Sequence, residues 1–112
     1  MSGPIFSLDE ARALLPKVRA LTTDAVIRAD AVTGELQQVA EDDPAHAQLS
    51  EALREIVNGW ADEVRALGVE VKGLWLVDFD NGEGYYCWKY PEDTIAHYHG
   101  YEEGFAGRMS IQ

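Results

Sequence analysis

The residues best suited to chemistry crowd into the C-terminal part of the chain: Asp78, Cys87, His97, His99, Glu103 and Arg108. A carboxylate, a thiol and two imidazoles make a mixed oxygen, sulfur and nitrogen donor set of the kind zinc or iron accepts. His97 and His99 stand two residues apart, so on a strand both rings leave one face. Glu102 or Glu103 adds a carboxylate from the following segment. Arg108 and Lys89 are the two basic residues after Lys72, and Arg108 follows Gly104-Phe105-Ala106-Gly107, a run that lets backbone approach a partner closely. Its guanidinium suits a carboxylate or phosphate on a ligand, or a structural ion pair with Asp78, Glu102 or Glu103. Two candidate sets follow: a metal set of Asp78, Cys87, His97 and His99, and a ligand-binding set of Trp88, Tyr98, His99, Glu103 and Arg108.

Each of these residues also has a plainer role open to it. Cys87 in a strand behaves as a small buried hydrophobe. Asp78 can cap a hairpin or pair with Lys89. A Cys87–His99 nucleophile and base is disfavoured, because a mid-strand thiol lacks the helix N-terminus that lowers a catalytic thiol's pKa. No nucleophile elbow, phosphate loop, dinucleotide fingerprint or zinc-protease helix occurs.

These residues need strands to hold them. Nine of the eleven aromatic residues lie from Trp75 onward. Residues 74–79 read as a strand, Asn81-Gly82 as a two-residue hairpin turn, and 85–90 as the returning strand. After a turn at Pro91-Glu92-Asp93, residues 94–99 read as a third strand. Residues 100–112 read as a glycine-punctuated loop. The two-residue turn pairs Asp80 with Glu83, Asp78 with Tyr85, and Leu76 with Cys87. Asp78, Tyr85 and Cys87 then share one face with Leu74, Leu76 and Lys89. Trp75, Val77, Phe79, Tyr86 and Trp88 share the other, more apolar face, which is expected to pack on the N-terminal half.

That half, residues 1–68, reads as a helical hairpin. Ser7 and Glu10 have capping-box spacing. An apolar series follows at steps of three and four: Ala11, Leu14, Val18, Leu21, Ala25, Ala29, Val32, Leu36, Val39. Pro16 interrupts it and either kinks the helix or divides it. Asp43 and Pro44 suit the N-cap and first residue of a second helix. Its stripe runs Leu49, Leu53, Ile56, Trp60, Val64, Leu67, with Gly68 at the C′ position. A short link between two long amphipathic helices implies antiparallel packing. Trp60 and Ile27 are left for a further contact, with the C-terminal half or a second copy, and a homodimer is one expectation.

The fold class is therefore α+β, a long antiparallel helical hairpin followed by a small antiparallel three-stranded sheet (residues 69–112), in one domain. The 112 residues carry a formal net charge of −11, which disfavours nucleic acid and anionic membrane surfaces. One cysteine permits no intrachain disulfide. Met1-Ser2-Gly3-Pro4 has no basic leader region and no long apolar run follows, which predicts a cytoplasmic location.

The chain resembles a bacterial family catalogued as domain of unknown function twenty-two-oh-three. The resemblance rests on Phe6-Ser7-Leu8-Asp9-Glu10-Ala11 with Ala13-Leu14-Leu15-Pro16, on Gly73, Val77-Asp78-Phe79 and Cys87-Trp88, and on His99 leading to Gly104-Phe105-Ala106-Gly107-Arg108. It covers nearly the whole chain and implies a helical N-terminal part and no assigned activity. It implies that Asp78, Cys87, Trp88, His99, Glu103, Gly104, Gly107 and Arg108 occupy motif positions. This chain departs from the pattern at Tyr98, where the family usually has tryptophan, and at His97, where it has no regular histidine. His99 is thus the stronger of the two histidines. Three functional readings follow: a binding or oligomerising domain with a polar pocket for a small molecule, a metal-binding protein or metal-dependent enzyme, and a structural partner acting through its helices.

Overall fold

A computed structural model describes residues 3–112. Met1 and Ser2, where the reading of a missing leader begins, lie outside the described residues. Helix α1 (Leu8–Leu36) opens on the expected capping box: Ser7 Oγ accepts from the Glu10 amide at 3.1 Å, and Glu10 Oε1 accepts from the Ser7 amide at 2.9 Å. It runs unbroken through Pro16, so the proline does not divide it. Its buried stripe is Ala11, Leu15, Val18, Thr22, Ala25 and Ala29. Leu14, Leu21, Val32, Leu36 and Val39 of the expected stripe are half-buried, and Leu14 and Leu21 pack against the core from its edge. Thr22 can be buried because its hydroxyl donates to the Val18 carbonyl (2.7 Å) and accepts from Trp60 Nε1 (2.8 Å).

Helix α2 (Pro44–Ala66) starts at Asp43, whose side chain accepts from the Ala45 amide at 2.9 Å. Leu21–Arg28 on α1 lies beside residues 55–63 on α2, and residues 35–39 lie beside 45–49, so the two helices are antiparallel. Gly68 takes a left-handed φ of 86° just past α2, and a Cβ there would run into Pro4. Trp60 turns to the C-terminal half and meets Trp75 edge-on, with ring centroids 4.9 Å apart. Ile27 stays 64% exposed.

The sheet has five strands rather than three. They are β1 (Glu70–Gly73), β2 (Leu76–Asp80), β3 (Tyr85–Lys89), β4 (His97–His99) and β5 (Met109–Ser110), antiparallel and in sequential order. Both extra strands lie where sequence shows little alternation. β1 turns into β2 through Leu74 and Trp75, and Trp75 holds a left-handed φ of 60° that is rare for a residue with a side chain. The expected C-terminal loop contains a short 3₁₀ turn (Phe105–Gly107) and then β5.

The β2–β3 register also differs. Asn81 Oδ1 accepts from the Glu83 and Gly84 amides at 2.9 and 2.8 Å, and the Asn81 amide donates to the Gly84 carbonyl. These local bonds make a four-residue loop, 81–84, in place of the two-residue turn. Asp80 therefore opposes Tyr85, and Asp78 opposes Cys87. Because the slip is two residues, every side chain keeps its expected face. Val77, Phe79 and Trp88 pack with Ala11, Leu15, Val18, Trp60 and Val64 in the core. No helix among the described residues is long and apolar enough to cross a membrane.

Candidate metal centre

On the face of the sheet away from the helices, Asp78, Cys87 and His99 come together. Asp78 and Cys87 are direct cross-strand partners on β2 and β3. His99 enters from β4, where it opposes Tyr85. One ligand-type atom from each of the three residues lies within 4.8 Å of the other two. The three residues are 2%, 0% and 3% exposed. Gly84 lets His99 sit this close: a Cβ on it would lie 2.6 Å from the His99 carbonyl oxygen, which is backbone and cannot give way.

The imidazole's orientation is fixed by a second bond. His99 Nδ1 lies 2.7 Å from the Gly100 carbonyl oxygen, an acceptor only, so Nδ1 carries a proton and donates it. In a neutral ring Nε2 is then a bare lone pair, and it faces Asp78 Oδ2 at 3.0 Å. Two acceptors at that distance need a positive centre between them, either a proton or a metal ion. Asp78 Oδ1 is buried and has no hydrogen-bond partner. Burial raises the Asp78 pKa against the opposing pull of His99. Burial, with Asp78 alongside, pushes the Cys87 thiol up to about 12, against a weaker opposing pull from Arg108. Both acids are thus short of positive charge.

Beside this group stands a second one. Arg108 makes a bidentate pair with Glu92, Nη1 to Oε1 at 3.0 Å and Nη2 to Oε2 at 2.6 Å. Its Nη1 lies 3.9 Å from Cys87 Sγ, and its guanidinium stacks 4.3 Å from the Phe105 ring centroid. Burial acts against Glu92 ionising, yet Arg108 and the Lys89 amide together hold its carboxyl below the usual range. The partner of Arg108 is therefore none of the three carboxylates expected. Glu92 lies in the turn between β3 and β4, and its sequence gives no sign of that pairing.

The candidate sets divide accordingly. His97 opposes Cys87 but turns its Nδ1 toward Glu92 Oε2 at 3.7 Å, and it stands outside the group of three. Asp78 neither caps the hairpin nor pairs with Lys89. Trp88 lies in the helix-facing core, with its Nε1 donating to the Glu92 carbonyl at 2.8 Å. Tyr98 is 39% exposed; with His99, Glu103 and Met109 it borders a shallow depression. Of the expected ligand-binding set, Tyr98, His99 and Glu103 share that depression, while Trp88 and Arg108 stand apart from it.

A different cavity borders the group. It has a volume of about 260 Å³, and Asp78 and His99 form part of its wall with Lys72, Tyr85, Tyr101 and Phe105. Sequence reading placed Tyr85 on this face. It gave no pointer to Lys72, Tyr101 or Phe105, which arrive from β1 and from the chain after β4. Residues 4–111 match the family described as an uncharacterized conserved protein, DUF2203. The chain belongs to that family. Its members' description carries no activity. No curated protein and no solved structure matches the chain.

Proposed function

We propose that this DUF2203 protein binds a divalent transition metal ion, zinc or ferrous iron, through Asp78, Cys87 and His99. The observation that carries the reading is the contact between two acceptors, His99 Nε2 and Asp78 Oδ2, 3.0 Å apart beside a buried thiol. Zinc–ligand lengths of about 2.0–2.3 Å put tetrahedral ligand atoms roughly 3.3–3.7 Å from one another. The three atoms already lie within 4.8 Å, so small side-chain shifts close the set. The Nδ1–Gly100 bond supports it further, since metal-ligating histidines almost always donate their other ring proton. A three-ligand site leaves a position for water or a ligand, as catalytic zinc sites do and closed structural sites do not.

The test is to strip the protein with a chelator and add cobalt, a spectroscopic stand-in for zinc. The expected result is one equivalent bound, with a thiolate-to-cobalt band that Cys87→Ser abolishes. His99→Ala is expected to weaken binding by more than about 100-fold, beyond the loss typical of an outer-shell partner. Zinc at 100 times its Kd should add about 2.7 kcal/mol of stability. Cobalt and zinc that bind below one equivalent, or bind Cys87→Ser equally well, refute the proposal.

A further inference from the structure

The cavity beside Asp78 and His99 has a definite chemical character. Its volume of about 260 Å³ falls below the roughly 300–1,000 Å³ of pockets for drug-sized ligands, so it takes a smaller molecule. One part of its wall is apolar, formed by Leu76, Phe105 and the Tyr85 ring. The Tyr85 and Tyr101 rings meet edge-on at 5.1 Å and shape one side. The cation in the wall is Lys72. Its Nζ lies 3.0 Å from Glu70 Oε1, 3.4 Å from the Tyr85 hydroxyl and 4.4 Å from the centre of the Tyr85 ring. An ammonium has three N–H donors, and these partners accept two. Burial acts to neutralise Lys72, but Glu70 and Tyr85 outweigh it and its pKa rises. The cavity thus sets an ammonium with a free donor and an apolar wall against the side chains of Asp78 and His99.

Resting on the metal reading above, we propose that this cavity binds a small organic monocarboxylate. One carboxylate oxygen completes the coordination of the ion held by Asp78, Cys87 and His99. The other accepts from Lys72, and the apolar body lies against Leu76, Phe105 and the Tyr85 ring. Asp78 and Cys87 together neutralise a divalent ion, and Glu70 neutralises Lys72, so an anion enters a site with no net charge to repel it.

Benzoate is the probe, with benzamide as its neutral counterpart of the same shape. Added to cobalt-loaded protein, benzoate is expected to shift the visible cobalt bands saturably. Benzamide is expected to bind at least about 10-fold more weakly, and Lys72→Met to weaken benzoate about 10-fold, in line with a lost charge-assisted hydrogen bond. Metal-free protein should not bind benzoate measurably by calorimetry. If cobalt binds with its thiolate band but benzoate at about 10 mM leaves the visible spectrum unchanged, the carboxylate proposal fails and the metal site stands. Equal binding of benzamide, or of benzoate to metal-free protein, also overturns it. If cobalt itself does not bind, the metal reading falls and the proposal falls with it.

Discussion

The two faces of the sheet are made from alternate residues of the same strands, and both are buried. Toward the helices stand Val77, Phe79 and Trp88, each fully buried. Away from them stand Asp78, Cys87 and His99, buried almost as completely beneath the segment that follows β4. Burial therefore does not distinguish a core face from a site face. The difference is in what burial does to each. On the first it is the stabilising force, at roughly 1.5–3 kcal/mol per large apolar side chain. On the second it acts against stability, because a buried carboxyl and imidazole lose water and Asp78 Oδ1 gains no partner in return. Polar groups kept dry at such a cost are those a ligand or ion would complete.

That contrast can be broken on either face. The largest expected effect is on the core side, where Trp88→Ala removes a fully buried indole that links sheet and helices. It should cost about 3–5 kcal/mol, read as a lower urea midpoint with little change in slope. Next, His99→Leu in metal-free protein leaves Asp78 buried without its partner and should cost about 3 kcal/mol. Combining it with Asp78→Val should restore stability to within about 1 kcal/mol of the metal-free wild type, or above it, while metal binding stays lost. A double variant as unstable as the single one would show that the polar face is structural after all.

The smallest effect sharpens the boundary between the site and its support. Glu92→Gln should cost about 1 kcal/mol at pH 7, because the Arg108 pair is partly exposed and its hydrogen bonds are charge-assisted. The folded-state pKa of Glu92 is depressed, so its contribution is present above the ordinary glutamate pKa of about 4.3 and is lost as pH falls through the folded value. Between about pH 5 and pH 3, wild type should lose more stability than Glu92→Gln. Parallel pH curves for the two would remove the ion pair from the stability of the segment after β4.

How far the sequence could be read depended on whether the deciding bonds were local. The Ser7–Glu10 box, the Asp43-Pro44 helix start and the Gly68 stop each depend on residues within a few positions, and each formed as expected. The faces of β2 and β3 were legible because alternation alone sets them. Register was not, since it turned on Asn81 accepting two amides within its own loop, a choice that competes closely with a two-residue turn. The β1–β2 turn was hidden because Trp75 takes a left-handed conformation without glycine or asparagine there, beside Trp60 from a distant helix. The convergence of Asp78 and Cys87 followed from that register. The Arg108–Glu92 pair and the place of Lys72 on the cavity wall depend on long-range packing that no local pattern encodes.

The loop at 81–84 has a consequence for how this protein can change. If the full-length chain lost the Asn81 side-chain bonds that hold this loop and turned at residues 81–82 alone, β3 would slide along β2 by two positions, about 7 Å at strand rise. An even slip leaves Val77, Phe79 and Trp88 on the helix side, so the hydrophobic pattern barely registers the event. Cys87 would then face Leu76, well beyond any ligand bond to an ion beside Asp78. A change of turn type at Asn81, barely felt by the core, is thus enough to take the proposed site apart.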